Sequence, residues 1–253
     1  MTVVVAFHCT DGVVVAADSM ITPTMGGLSV GHHHGIKLAI LGGPQLFAFA
    51  GDQGQAARFR VMADGNHSAI PQAPHPLDYA IALSQGMIQQ LQSTGINLQM
   101  IGVNTILAFG KDNTHHCCVF EGAIQPRFLD SDHFYIALGS GKLSADPFLR
   151  FLADIFCPNN SQPSVREGIF LATWAVQHVI DTNPGGVAGP IRIATFQLNA
   201  SGVFEARTLP NDEIAEHQQA IESAATALRT WRDQLQSGRA AEDAPQQPEA
   251  PQA

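Results

Sequence analysis

The chain lacks features that mark several large classes of protein. Its 253 residues carry 13 Lys and Arg against 22 Asp and Glu, and the formal net charge of −9 argues against nucleic acid as a ligand. No apolar stretch approaches the roughly 20 residues of a membrane span, and the first residues do not form a basic segment followed by an apolar one. The sequence therefore predicts a cytoplasmic protein that binds neither nucleic acid nor membrane.

Cysteine and histidine patterns for disulfides or metals are also absent. The four cysteines have no disulfide-framework spacing, so we expect them to be reduced. Three histidines stand together at 32–34, and the run 115–118 (His-His-Cys-Cys) follows one strand, where neighbouring side chains face opposite sides. Neither group supplies the four ligands of a structural zinc site, so the sequence predicts no metal and no other cofactor.

The segment Gly139-Ser140-Gly141-Lys142 ends like a phosphate-binding loop but lacks its other parts. Leu143 stands where the magnesium-binding hydroxyl belongs, and Ile136 stands where the first glycine belongs. The sequence therefore predicts no nucleotide site there.

What the chain does contain is a strong hairpin signal at its start. Two apolar runs, Thr2–Phe7 and Val13–Ala17, flank the dipeptide Asp11-Gly12, which favours a tight turn between antiparallel strands. Both runs are apolar throughout, as in strands that are covered on both faces. With 45% hydrophobic residues, the chain can bury one large core around this hairpin.

Thr2 combines a nucleophile with a base if Met1 is removed. Its hydroxyl is weak alone, but an α-amine with a pKa of roughly 7.7 to 8.0 can take the hydroxyl proton near neutral pH. On Met1-Thr2 alone, an ordinary strand start is the simpler interpretation.

Asp18 and Lys37 are predicted to lie beside Thr2. The hairpin returns Asp18 to the start of the first strand, and Lys37 stands in the otherwise apolar strand Ile36–Leu41. A buried lysine needs a carboxylate partner, and Asp18 is the candidate. The pair would set a positive charge next to the hydroxyl, although such pairs are more often structural.

The order of these motifs carries a family resemblance. The N-terminal Thr is followed by DGVVVAADS, KLAIL, FAFAGD, ALGSG and a late Asp before Gly-Gly. This set resembles the proteasome β-subunit family of N-terminal-nucleophile (Ntn) threonine peptidases, and in particular its bacterial homologues related to HslV, Anbu and the betaproteobacterial proteasome homologue. The resemblance covers roughly residues 2–210.

The resemblance implies an α+β fold, a four-layer αββα sandwich of two antiparallel sheets flanked by helices, and the succession of elements agrees with it. We expect this domain at 2–210, a C-terminal helical extension at 211–236 and a disordered tail at 237–253. The expected later strands are Gln45–Ala50, Val103–Phe109, His115–Phe120, Phe134–Leu138, Pro190–Leu198 and Val203–Thr208. The expected helices of the domain are Gln53–Ala63, Leu77–Thr94, Ser144–Ile155 and Ser164–Ile180.

The resemblance also implies roles for individual residues. Thr2 would attack the peptide carbonyl, Lys37 with Asp18 would lower the pKa of its hydroxyl, and the amide of Ala48 would stabilise the oxyanion. Ser140 and Asp181 would orient the N-terminus, although a helix cap is the alternative role for Ser140.

A first specificity pocket with an apolar preference is also implied, lined by Ile21, Leu46 and Ala50. Two residues depart from the family pattern. Ala48 replaces a glycine, and Pro184 replaces a serine, so one hydrogen bond near the α-amine is missing or made by water.

The leading hypothesis is a threonine endopeptidase in a self-compartmentalised ring particle. The resemblance implies stacked rings, two heptamers (a 14-mer) or else a 12-mer as in HslV, which would act on peptide or unfolded protein with an ATPase unfoldase. Two alternatives stay open. One is a proteasome-like ring with little or no peptidase activity that acts as a binding chamber, and the other is a small-substrate Ntn amidohydrolase.

Overall fold

The computed structural model describes residues 2–25, 28–122, 124–183 and 186–236. The strands are β1 Val4–Cys9, β2 Gly12–Ala17, β3 Met20–Ile21, β4 Thr24–Met25, β5 Leu28–Ser29, β6 His33–His34, β7 Leu38–Leu41, β8 Gln45–Gly51, β9 Val103–Lys111, β10 Thr114–Glu121, β11 Gln125–Phe128, β12 Tyr135–Leu138, β13 Arg192–Leu198 and β14 Phe204–Thr208. The helices are α1 Gln53–Gly65, α2 Pro76–Ser93, α3 Lys142–Phe156, α4 Val165–Thr182 and α5 Asn211–Gln236.

The first five-stranded sheet contains the predicted hairpin. Its strand order is β12-β1-β2-β13-β14, and every pair is antiparallel. In the hairpin, Val4 lies opposite Ala17 and Cys9 lies opposite Gly12. The prediction of a hairpin buried on both faces is confirmed, since all of β2 and nearly all of β1 are buried. The strand begins at Val4 rather than Thr2, because the nitrogens of Thr2 and Val3 donate to the side chains of Ser140 and Asp18 instead of to a neighbouring strand.

The second five-stranded sheet has the order β11-β10-β9-β8-β7 and is also antiparallel throughout. The sequence did not predict its edge strand β11, which is only four residues long and includes Pro126. It also did not predict the short pairs β3-β6 and β4-β5 between Met20 and His34. A two-residue strand leaves no periodic signal in a sequence.

Three apolar clusters connect these elements, and their membership follows the alternation of side chains along each strand. One cluster lies between the sheets and includes Val4 and Ala6 of β1 with Leu46 and Ile106 of the second sheet. The alternate residues of β1 pack instead against α3 and α4. A third cluster joins the second sheet to α1 and α2. The chain is therefore a mixed α/β protein with antiparallel sheets covered by helices.

Helix boundaries agree with local signals in the sequence. Asp52 caps α1 as predicted, because its carboxylate accepts from the amide of Gln55 at 2.8 Å. Helix α5 occupies the range expected for the C-terminal extension, whereas the tail expected at 237–253 lies outside the described residues. No helix in the described ranges is both long and apolar enough to cross a membrane.

One strand histidine makes the stability of the fold depend on pH. His116 of β10 packs against the rings of Phe109 and Phe128, with centroid distances of 5.6 and 5.8 Å. Burial lowers the pKa of His116 to about 4, and the neighbouring His115 acts in the same direction. The folded protein therefore resists protonation of this ring more than the unfolded chain does.

We expect the free energy of unfolding to fall as the pH falls from about 6.5, the ordinary pKa of histidine, towards 4. Above 6.5 this group contributes its full stability, because the ring is neutral in both states. Urea titrations at pH 7 and pH 5 measure the loss, and His116→Phe should reduce it. Removal of the exposed His34, as His34→Gln, is the matched control. An unchanged loss in His116→Phe would contradict this assignment.

Candidate active site

A buried carboxylate connects three segments at the start of β1. One oxygen of Asp18 accepts from the amide of Val3 at 2.9 Å and from the ammonium of Lys37 at 2.6 Å. The other oxygen accepts from the amide of Met20 at 3.0 Å. Asp18 is 1% exposed, so these three donors take the place of water around its charge. The return of the hairpin therefore fixes the residue next to Thr2.

Lys37 directly precedes β7 and is 3% exposed. Burial lowers the pKa of the Lys37 ammonium, and the charge and hydrogen bond of Asp18 oppose that change. Within the described residues, Asp18 is the one hydrogen-bond partner of this ammonium. The other N–H donors are left for groups in the cavity that Lys37 lines.

Thr2 is held at both its nitrogen and its carbonyl by the loop between β12 and α3. Its main-chain nitrogen donates to the hydroxyl oxygen of Ser140 at 3.1 Å, and its carbonyl accepts from the amide of Gly141 at 3.0 Å. The N-cap of α3 is Gly141 and makes no side-chain capping bond. Ser140 thus contacts Thr2 rather than capping the helix.

Gly139 leaves the space that Thr2 occupies. It has a φ of +88°, and a Cβ at this position would overlap the carbonyl group of Thr2. The same Cβ would lie 3.3 Å from the Cβ of Ala50. Only glycine satisfies both the backbone conformation and this close approach.

We expect Gly139→Ala to displace Thr2 and so to disable any reaction that depends on its hydroxyl. The variant should also lose stability, because a side chain with this φ costs about 1–3 kcal/mol before any overlap is counted. Gly202→Ala is the matched control, since Gly202 has a φ of +74° and open space around it. Urea midpoints and reaction rates compare the two. Equal loss of stability with activity retained in Gly139→Ala would contradict the expectation.

A cavity of about 480 Å³ opens beside Thr2. The residues on its wall that the sequence assigned to the site are Thr2, Ile21, Lys37, Ala50 and Ser140. The residues on its wall that the sequence did not assign are Thr22, Phe49, Gly51, Gln53, Asn104 and Gly139. The nucleophile candidate, the cationic side chain and the hydroxyl of the loop therefore share one cavity.

Two predicted residues of β8 lie deeper than the cavity wall. Leu46 and Ala48 are fully buried in the layer between the sheets, on the same face of the strand as Ala50. The amide of the intervening Phe49 donates to the carbonyl of Lys37 at 3.2 Å, on the β7 side. Consecutive amides of an extended strand point to opposite sides, so the amide of Ala48 points towards β9.

Asp181 is bonded within its own helix rather than to Thr2. Asp181 is an exposed residue in the last turn of α4, and its carboxylate accepts from Gln177 of the same helix at 2.8 Å. Within the described residues no hydrogen bond joins Asp181 to Thr2. Pro184 lies outside the described residues.

Comparisons with known proteins place this arrangement in a structural context. No protein-family model matches the sequence, and no curated protein matches it. Among solved structures, a (Gly-1) mutant of Anbu from Hyphomicrobium sp. strain MC1 is similar, with a TM-score of 0.67 and 15% sequence identity. The similarity covers 91% of this chain and 97% of that one. This chain has the Anbu fold.

A second Anbu structure gives the same result. In the helical assembly of the Anbu complex from Pseudomonas aeruginosa, the similar chain is 15% identical with a TM-score of 0.67, and the match covers 90% of this chain and 96% of that chain. The resemblance stated from the motifs is therefore confirmed at the level of the fold.

In this Anbu fold, the cavity residues that the sequence did not predict lie mainly on the second sheet and at the adjoining start of α1. Asn104 lies directly opposite Ala50 in the β8-β9 pair, and its side chain faces the same layer as Ile106 and Ala108. The signal in the sequence that could have identified Asn104 is its place as a polar residue at the end of the apolar alternation Ile106, Ala108. The pairing of β8 with β9 spans more than fifty residues, so the motif around Ala50 could not identify its neighbour.

Proposed function

We propose that this chain is an Ntn threonine hydrolase of the proteasome-like family, with the four-layer αββα sandwich, and that it cleaves peptide bonds. The observation that carries the proposal is the environment of Thr2. Its nitrogen is bonded to Ser140, the next amide is bonded to Asp18, and Asp18 holds Lys37 at the same cavity. This arrangement places a hydroxyl, a nitrogen and a cation at the same cavity.

In the proposed reaction, cleavage of the peptide bond before Thr2 frees its α-amine. That amine takes the hydroxyl proton as the hydroxyl oxygen attacks the substrate carbonyl, and it returns the proton to the leaving nitrogen. The Lys37 ammonium favours the negative charge that develops on the attacking oxygen, while Asp18 keeps the ammonium in place. Water then hydrolyses the ester and restores the free hydroxyl.

The Thr2 nitrogen donates a hydrogen bond to the hydroxyl oxygen of Ser140, and this bond restricts the orientation of the nitrogen. It therefore supports a positioning role for Ser140. The proposed roles of Ala48 as oxyanion donor and of Asp181 as orienting carboxylate rest on the family resemblance. In this structure the Ala48 amide points towards β9, and Asp181 is bonded to Gln177. Both roles would therefore require a local rearrangement when substrate binds.

A peptide epoxyketone tests the proposal in one measurement. The reagent has two electrophilic carbons, so it closes a ring only with a residue that offers both a hydroxyl and a free α-amine. Intact-mass analysis of the full chain should show loss of the residue before Thr2 and addition of one inhibitor. A chain that keeps that residue and forms no adduct would overturn the proposal.

The positions of Ala48 and Asp181 favour the second candidate, a proteasome-like ring that binds substrate without cleaving it. Such a protein would keep the cavity but give no adduct and no hydrolysis of peptides. The same experiment therefore distinguishes the two functions.

Self-association is the remaining part of the proposal. Pseudomonas aeruginosa Anbu forms a helical assembly, and we propose that this chain also assembles with copies of itself. A groove of about 1390 Å³ between α5 and the pair α3-α4 supports this, because its wall includes Phe151 and Ile155 of α3 and Trp231 of α5, each 44% exposed or more. Native mass measurement gives the number of copies.

A further inference from the structure

Asn104 is the polar end of an otherwise apolar row. On the face of β9 that looks towards the first sheet, Asn104 is followed by Ile106 and Ala108, which belong to the buried cluster between the sheets. Its cross-strand partner is Ala50, which is 1% exposed. The short side chain of Ala50 leaves the amide of Asn104 uncovered, and Asn104 lines the cavity beside Thr2.

The position of Ala50 connects Asn104 to the reacting residue. The space that a side chain of Gly139 would fill touches both the carbonyl of Thr2 and the Cβ of Ala50. Directly opposite residues of an antiparallel pair have Cβ atoms about 4.5–5.5 Å apart. Asn104 therefore lies on the strand next to that of Ala50, and Thr2, Ala50 and Asn104 line one cavity, so a substrate side chain attached next to the scissile carbonyl would enter the cavity that Asn104 lines.

The hydrogen-bonding capacity of Asn104 is unused. Within the described residues its side-chain amide has no hydrogen-bond partner, although it offers two N–H donors and a carbonyl acceptor. A substrate side chain that buried this amide without bonding to it would lose affinity, because an unsatisfied polar group keeps its desolvation cost.

The charges at the cavity oppose an ionic substrate side chain. Lys37 is the one ionisable side chain among the described lining residues, and Asp18 already neutralises it at 2.6 Å. An ammonium entering the cavity would meet only another cation, and a carboxylate would have to compete with Asp18 for Lys37. An uncharged group that both donates and accepts matches the amide without this cost.

We propose that Asn104 is a specificity-determining residue that selects substrates with a carboxamide side chain, Gln or Asn, on the acyl side of the scissile bond. The two amides would form a reciprocal pair, with each N–H donating to the other carbonyl. This inference rests on the proposed function of Thr2. It replaces the apolar preference expected from the sequence, since Leu46 does not line the cavity and Asn104 does.

Three peptide epoxyketones that differ only in this side chain test the inference. The chosen side chains are Gln, Met as an apolar group of similar length, and Glu as a charged group of the same shape. The rate constant of adduct formation at Thr2 is followed by intact mass on the full chain. We expect Gln to react about tenfold faster than Met or Glu, the difference that one unsatisfied polar group produces.

Two variants and a control assign the effect to Asn104. Asn104→Leu should remove the preference for Gln over Met while still forming an adduct with the Met compound. Asn104→Asp should lower the rate with Glu most, because two carboxylates would meet. Gln53→Leu, which removes the other carboxamide at this cavity, should leave the Gln-to-Met ratio unchanged.

Each outcome decides the matter. Equal rates for Gln and Met in the unmodified chain, or a Gln preference that survives Asn104→Leu, would overturn the inference while an adduct at Thr2 leaves the proposed function intact. If the Gln-to-Met ratio changed in Gln53→Leu instead, Gln53 rather than Asn104 would select the substrate, and the inference would be overturned. Absence of any adduct with all three compounds would overturn the proposed function and this inference with it.

Discussion

Thr2→Ala is expected to abolish both hydrolysis of peptides and formation of an epoxyketone adduct. The variant removes the hydroxyl oxygen that attacks the substrate carbonyl in the proposed reaction, while its main-chain bonds to Ser140 and Gly141 remain available. We expect a loss of at least about a thousandfold, because no second nucleophile in the proposed reaction replaces the hydroxyl. Fluorogenic peptides and intact mass measure the two activities.

Thr2→Ser is the matched variant, since it keeps the hydroxyl and the α-amine and removes one methyl group. It should retain adduct formation and a measurable rate. The free energy of unfolding should change little in either variant, because Thr2 lies outside β1 and is not a member of the three apolar clusters. Hydrolysis that survives in Thr2→Ala, after contaminating proteases are excluded by purification, would reject the nucleophile.

The parts of the site that could be predicted from the sequence are those set by local geometry. The structure places the hairpin turn at Thr10-Asp11, one residue before the predicted Asp11-Gly12, and the hairpin register returns Asp18 to the residue after Thr2. Lys37 could be paired with Asp18 because a buried lysine in an apolar strand needs a carboxylate. These predictions need only the position of a turn, the alternation of side chains along a strand, and the need of a buried charge for an opposite charge.

The parts of the site that could not be predicted depend on the pairing register of strands far apart in the sequence. They also depend on the direction in which a single amide or carboxylate points. The motif around Ala48 gives a strand but not which side its amide faces, and one residue of register reverses that direction. The contribution of Asn104 depends on the β8-β9 pairing in the same way. The orientation of Asp181 depends on Gln177, one helical turn earlier, which competes for the carboxylate.

Lys37→Met should remove activity and destabilise the protein at the same time. Methionine fills much of the space of the lysine stem, but the change leaves Asp18 buried without its counter-ion. Breaking one partner of a buried ion pair costs about 3–5 kcal/mol. Urea unfolding of the full chain measures this loss, and peptide hydrolysis or adduct formation measures the activity.

A double variant separates the two effects, because they have different causes. Lys37→Met with Asp18→Asn removes both charges, so no ion is left unpaired and much of the lost stability should return. The activity should not return, since the cation beside Thr2 is still absent. Lys111→Met is the matched control: Lys111 is also buried, but its partner Asp112 is 81% exposed, so losing that pair should cost under about 1 kcal/mol. If activity recovered together with stability in the double variant, the ion pair would be a structural element only, and the ammonium would have no part in activating the hydroxyl.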